Sequence, residues 1–144
     1  MSIRMKLDGF EELLKKIEKA GKSVESAAAE CMTESADIVD AEIRASMKKS
    51  GVDESFIAAM PPPSVENEHG TVYARVGYKK GPYDPKKPSD GYKAVFLNYG
   101  TPHRPEKQGR VTGRFFMTEA KRIAKPKVKK TQKAALERIL GDLK

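Results

Sequence analysis

The sequence predicts an α+β fold, in which a small antiparallel sheet packs with long N-terminal helices and a C-terminal helix. Three observations predict this class. Apolar residues recur at helical spacing over residues 23–49, they alternate with polar residues over residues 71–78, and a basic segment with an apolar side lies near the C-terminus. With 144 residues, the chain suits one domain with a single core, residues 1–144.

The N-terminal half is predicted to contain a short strand and two helices. Ile3, Met5 and Leu7 alternate with basic residues, which is typical of a half-buried strand. A first helix is predicted over residues 9–19 and a second over residues 23–49, the latter about 40 Å long. Because so long an apolar stripe exceeds what a small sheet covers, we expect self-association through this helix and a sheet edge.

After Gly51 and the prolines at 61–63, the predicted secondary structure changes from helix to strand. Residues 71–78 are predicted to form an amphipathic strand, with residues 64–68 as its hairpin partner. Residues 81–91 contain three prolines and are predicted to form an exposed loop. Residues 92–99 are apolar on both faces, which fits a buried strand or a short helix, and a strand is the prediction.

The C-terminal part is predicted to be a second loop followed by helix. The loop covers residues 101–113, and helix is expected over residues 115–125. A helix over residues 126–143 then follows or continues it, with Pro126 at a first turn or a kink. Both predicted loops are polar and lack apolar anchors, so we expect them to become ordered on assembly.

Charge is divided unequally between the two halves of the chain. Residues 1–70 hold 9 Lys and Arg against 14 Asp and Glu, and residues 71–144 hold 19 against 6, so the halves carry −5 and +13. A basic half binds phosphates or an acidic protein surface, and head-to-tail docking of copies is one expected use. The densest basic segment is either a solubilising face or a docking or phosphate-binding face: Lys121, Arg122, Lys125, Lys127, Lys129, Lys130 and Lys133.

Residues for catalysis are not indicated, so we expect no enzyme, metal or cofactor. Cys31 is the only cysteine and lies in a small-residue helical stripe, which favours a buried thiol over a nucleophile. His69 and His103 fall in separate loops without a second ligand at metal-binding spacing. The sequence shows neither a signal-peptide-like segment nor an apolar run of about 18 residues, so we expect an intracellular protein without membrane contact.

A resemblance to a known family rests on two segments: Ala94-Val95-Phe96-Leu97-Asn98-Tyr99-Gly100-Thr101 and, after a polar loop, Phe115-Phe116-Met117-Thr118-Glu119-Ala120. This arrangement resembles the tail-component family of long-tailed bacteriophages. In that family an aromatic-rich segment ending in aromatic-Gly-Thr precedes Pro-Phe and an alanine that opens the last helix. Here Asn98 stands where Glu is common, Phe115 where Pro is expected, and Glu119 where a second Pro often falls.

The resemblance implies a non-enzymatic virion protein of a phage or prophage, assembled in the host bacterial cytoplasm. Its expected form is a ring, usually of six copies, at the tail's head-proximal end or neck. Expected partners are further copies, the tail-tube protein and head-completion or neck proteins, and the charge of the basic half leaves non-specific DNA contact open as an alternative to protein contact. A small basic nucleic-acid-binding protein is the alternative. The residues expected at partner interfaces are Tyr99, Gly100, Thr101, Arg104, Arg110, Phe115, Phe116, Lys127, Lys129 and Lys130.

Overall fold

The structure, a computed structural model, describes residues 2–6, 15, 24–69, 71–81, 83–100 and 112–141. The predicted helix over residues 9–19 lies outside this part except for Lys15, and residues 101–111 of the second predicted loop also lie outside it. The α+β class is confirmed. The elements in chain order are β1 (Ser2–Lys6), α1 (Val24–Lys49), α2 (Glu54–Ala58), β2 (Ser64–Glu68), β3 (Thr71–Gly77), α3 (Asp90–Tyr99) and α4 (Phe116–Gly141).

The three strands form one antiparallel sheet with β3 in the centre, in the order β1-β3-β2. In its register, Ile3 pairs with Val76 and Val65 pairs with Ala74. The alternation of residues 71–78 is confirmed, because Val72, Ala74 and Val76 are buried on the inner face. The predicted pairing of residues 64–68 with this strand is also confirmed.

Helix α1 packs on the inner face of the sheet with one side and on α4 with the other. The predicted long helix is confirmed, and the side chains that recur along it at helical spacing are buried: Ala28, Met32, Ser35, Val39, Ile43 and Met47. Helix α4 covers α1 with small side chains, among them Ala120, Ala124 and Ala135. The apolar stripe that was expected to need a second copy is thus covered within the chain.

The prediction of a strand over residues 92–99 is wrong, because this segment belongs to helix α3. Its buried residues are Gly91, Ala94 and Asn98, a spacing of three and four that only a helix brings to one side. Gly91 packs tightly against the backbone of Lys79, since a Cβ at position 91 would lie 2.4 Å from the Lys79 carbonyl oxygen. The predicted loop over residues 81–91 therefore ends two residues early, at Ser89.

Two further elements differ from or refine the prediction. The five-residue helix α2 was not predicted, and it starts where the Asp53 carboxylate accepts a hydrogen bond of 3.1 Å from the Ser55 backbone N–H. Helix α4 is continuous, with the exposed Pro126 inside it, so the second predicted C-terminal helix continues the first.

Candidate interaction surfaces

The end of α3 and the start of α4 are joined by backbone hydrogen bonds, although eleven undescribed residues, 101–111, separate them. The Arg114 N–H donates to the Leu97 carbonyl and the Phe115 N–H to the Asn98 carbonyl, both at 2.9 Å. Gly100 and Thr112 form an isolated antiparallel bridge. We call this region, residues 97–100 and 112–117, the α3–α4 junction.

Asn98 ties the junction together from inside. Its side chain is fully buried, and its Oδ1 accepts a hydrogen bond of 2.9 Å from the Met117 backbone N–H in the first turn of α4. This bond satisfies one of the N–H groups that a helix start leaves without a partner. The Nδ2 atom of Asn98 is buried and finds no acceptor within the described residues, a state that costs free energy in a monomer.

Two glycines shape the backbone at this place. Gly100 ends α3 with φ of 81°, and its N–H donates to the Phe96 carbonyl at 2.7 Å. Glycine adopts positive φ without strain, which suits Gly100 to this helix end. A Cβ at Gly113 would lie 2.8 Å from the Tyr99 carbonyl oxygen. Larger residues at position 113 would therefore push the two segments apart.

Tyr99 and Phe115 project from the junction as an exposed aromatic pair. Their side chains are 57% and 53% exposed, and their rings meet edge to face with centroids 6.5 Å apart. Phe115 adopts φ of 50°, which is a strained conformation for a bulky residue. Its carbonyl accepts the Glu119 N–H at 3.0 Å, so it occupies the N-cap position of α4.

Phe116 has the opposite environment to its neighbour. It is the residue of the junction whose ring is fully buried in the core. A partner therefore cannot reach its side chain on the folded chain, and Phe116 supports the junction from within. Of the aromatic residues predicted at an interface, Tyr99 and Phe115 are the two whose rings are accessible.

Arg114 fixes the junction to the end of α1, a role that was not predicted from the sequence. Its Nη1 donates to the Gly51 carbonyl at 2.7 Å and to the Ser50 carbonyl at 3.2 Å. These carbonyls belong to the helix end, where acceptors lack intrahelical partners. Arg114 also lines two grooves, one of about 450 Å³ shared with Phe115 and one of about 440 Å³ shared with Phe96 and Leu97.

The seam between α1 and α4 carries ion pairs between the acidic and basic halves of the same chain. Lys127 binds Glu42, and the Arg138 Nη2 lies 2.8 Å from Glu30 and 2.7 Å from Glu34. The two helices therefore run antiparallel. Part of the charge asymmetry that suggested docking between copies is satisfied within the chain, and Lys127 belongs to that part.

Two lysines on the solvent side of α4 differ from Lys127. Lys129 and Lys130 are exposed and form no ion pair with any residue that the structure describes. Arg122 differs, since it holds Glu119 in a two-point contact at 2.6 and 3.1 Å that lowers the pKa of that carboxyl. Of the other residues predicted at an interface, Thr101, Arg104 and Arg110 lie outside the described residues.

Cys31 is buried in the seam, as predicted for a small core residue. Burial raises the pKa of its thiol to about 11, with the negative charge of Glu34 adding to the effect. At neutral pH the thiol is thus protonated and shielded, the opposite of what a nucleophile needs.

The described residues were also compared with the requirements for metal binding and for spanning a membrane. Among these residues, no group of three or more His, Cys, Asp or Glu side chains is placed to hold a metal ion. In the same part of the chain, none of the helices has the length and apolar character needed to cross a membrane.

No family model, curated protein or solved structure matches the chain. The resemblance to phage tail components therefore rests on the chain's own residues, and half of the residues in its two segments lie at the α3–α4 junction.

Proposed function

We propose that this chain is a non-enzymatic structural component of a tailed bacteriophage or prophage, which self-assembles at the tail or at the neck between head and tail. In this role it forms a ring in the virion after assembly in the host cytoplasm. Its partners are further copies, the tail-tube protein and head-completion proteins. The exposed aromatic pair Tyr99 and Phe115 is the contact surface, and it is the observation that carries the proposal.

The residues of the family-like motif support this role by their placement. Tyr99 and Gly100 come from the first segment of the motif, and Phe115 comes from the second. The structure brings all three to one surface patch, with Phe116 and Ala120 buried beneath it. A motif that served only to end a secondary-structure element would not need two accessible rings at the same place.

The energetics of the junction also favour a contact role. Positive φ at a bulky residue costs about 1–3 kcal/mol, and strain of this kind is typical of functional sites. The conformation places the Phe115 ring in solvent, where it gains little for the monomer. Exposed aromatic side chains of this type are enriched at the centres of protein interfaces, where burial against a partner supplies much of the binding energy.

Grooves next to the pair provide room for a partner's side chains. The larger groove runs between the end of α1 and the start of α4, where Ala45, Phe115 and Ile123 contribute apolar surface. Lys49 and Glu119 line it as well and give it charges of both signs. An interface with an aromatic centre and a polar rim matches the usual anatomy of protein contacts.

The test is the assembly state of three single variants, measured by light scattering over a concentration series, alone and with tail-tube protein. Phe115→Asn and Tyr99→Ser are expected to weaken assembly by about 30-fold or more, the range of interface hot spots. Asn tolerates positive φ and suits an N-cap, so Phe115→Asn should fold at least as well as the original chain.

Tyr83→Ser is the matched control, because Tyr83 is 58% exposed and also meets another ring edge to face, that of Tyr92. It should assemble like the original chain. A chain that stays monomeric at high concentration, also with tail-tube protein present, contradicts the ring. Equal weakening by all three variants contradicts the junction as the contact surface.

A further inference from the structure

One line of lysines on α4 has a regularity that the fold does not explain. Lys121, Lys125, Lys129 and Lys133 follow one another at intervals of four residues, and all four side chains are exposed. We call them the lysine row. Successive members are about 6 Å apart along the helix axis and turned by about 40°, so the row forms one continuous strip about 18 Å long.

The described residues do not neutralise the lysine row. None of its members forms an ion pair with a described residue, whereas Lys127 and Arg138 on the seam side of the same helix do. Between Glu119 and Glu137, α4 contains no acidic residue. Like charges four residues apart repel and destabilise a helix, so the row is unfavourable for the isolated fold.

We propose that the lysine row binds the phosphate backbone of double-stranded DNA without sequence preference. A strip about 18 Å long faces roughly five successive phosphates of one strand, which are spaced 3.4 Å apart along the duplex axis. The four ammonium groups of the strip can each approach a different phosphate of this array. This function goes beyond the proposed ring and does not depend on it.

The neighbours of the row favour duplex DNA over single strands. Binding of single strands typically uses aromatic side chains on which bases stack. The part of α4 that carries the row, residues 118–137, contains no Phe, Tyr or Trp. The exposed aromatic pair lies at the junction, before the first turn of α4, and Lys121 is the first member of the row after it. Contacts to phosphate alone position a protein on DNA and carry no sequence information.

The test is fluorescence anisotropy of a labelled duplex of mixed sequence, titrated with the full chain over a salt series from 50 to 200 mM. The row variant changes Lys121, Lys125, Lys129 and Lys133 together to Gln, which removes the charge and keeps a similar helix propensity and part of each aliphatic stem. It is expected to reduce the slope of log affinity against log salt by about 3–4, and to weaken binding at least tenfold at low salt.

A matched control has the same change in net charge at another exposed site. Lys79, Lys80, Lys86 and Lys87 lie in the segment between β3 and α3, and their side chains are exposed. Changing these four to Gln is expected to leave most of the binding and of the salt slope in place. Equal losses in both variants mean that net charge alone attracts DNA, and this result overturns the assignment to the row.

Two other outcomes also overturn the assignment of DNA binding to the lysine row. One is an original chain that does not bind the duplex at 50 mM salt. The other is a row variant that binds DNA normally but no longer assembles or no longer binds tail-tube protein, because the row is then a protein contact. The row variant should melt at or above the temperature of the original chain, since repulsion has been removed, so lost binding is not explained by unfolding. Its aromatic pair is intact, so the outcome for DNA is separate from the outcome for the ring.

Discussion

The seam between α1 and α4 and the α3–α4 junction both involve helix α4, but they differ in how their side chains are buried and paired. In the seam, apolar and small residues are buried, and the charges at its edge are paired across the two helices. At the junction, two aromatic rings are in solvent, Phe115 has positive φ, and the buried Asn98 amide has no acceptor among the described residues. The seam contains contacts that stabilise the monomer, whereas the junction keeps features that add little to the stability of the monomer or lower it.

The adjacent residues Phe115 and Phe116 give the largest expected contrast between the two regions. Phe116→Ala removes a fully buried ring and should lower the free energy of unfolding by about 3–5 kcal/mol. Phe115→Ala should change it by less than about 1 kcal/mol, because an exposed ring contributes little to the fold. Urea unfolding followed by circular dichroism measures both. Similar losses for the two variants contradict the division into core and contact surface.

Alkaline pH should lower the stability of the fold because the Cys31 thiol is buried in the seam. The pKa of the thiol is 9.0 when it is exposed to water and about 11 in the fold, so between these values the unfolded chain releases a proton that the folded chain keeps. Stability therefore falls as pH rises from 9 to 11, by up to about 3 kcal/mol. Urea unfolding at intervals of one pH unit measures the fall.

Cys31→Ala is the control for this loss, since Ala does not ionise. The stability advantage of the original chain over the variant should shrink between pH 9 and 11 and stay constant below pH 8. Tyr78 adds a second loss in both proteins, because burial raises its pKa to about 12. Parallel pH curves for the two proteins contradict the assignment of the first loss to Cys31.

The side of α1 that lies in the seam and the central strand β3 were both predictable from the sequence, because burial imposes a period on the apolar residues of each. The stripe from Ala28 to Met47 repeats at helical spacing, and Val72, Ala74 and Val76 alternate as strands do. Residues 92–99 lack a clear period, since apolar residues occupy both faces, and a short run of this kind fits strand and helix equally. Its helical state is decided by contacts, among them the close approach of Gly91 to Lys79.

The junction was predictable only in part. The motif pointed to Tyr99, Gly100 and Phe115, but no local pattern separates the exposed Phe115 from the buried Phe116. The contacts of Arg114 with the end of α1 join residues more than 60 positions apart, and local patterns contain no information on such pairs. Unpaired carbonyls after a predicted helix end are a signal that could have suggested a basic partner.

Substitutions of Lys127 and Lys129 have the smallest expected effect on the free energy of unfolding. The difference between the two variants locates the border between the seam and the solvent side of α4. Both side chains are exposed lysines on one helix, but Lys127 is paired with Glu42, whose side chain is only 17% exposed. Lys127→Gln should therefore lower the free energy of unfolding by up to about 1 kcal/mol. Lys129→Gln, the matched control, should not lower the free energy of unfolding, because it breaks no described ion pair and relieves repulsion from Lys125 and Lys133.

In 1 M salt, where screening acts within about 3 Å, the difference in stability between the two variants should become small. Urea unfolding at low and high salt measures it. Equal stability of the two variants at low salt means that the Lys127 pair does not contribute, and the seam is then held by its apolar contacts alone.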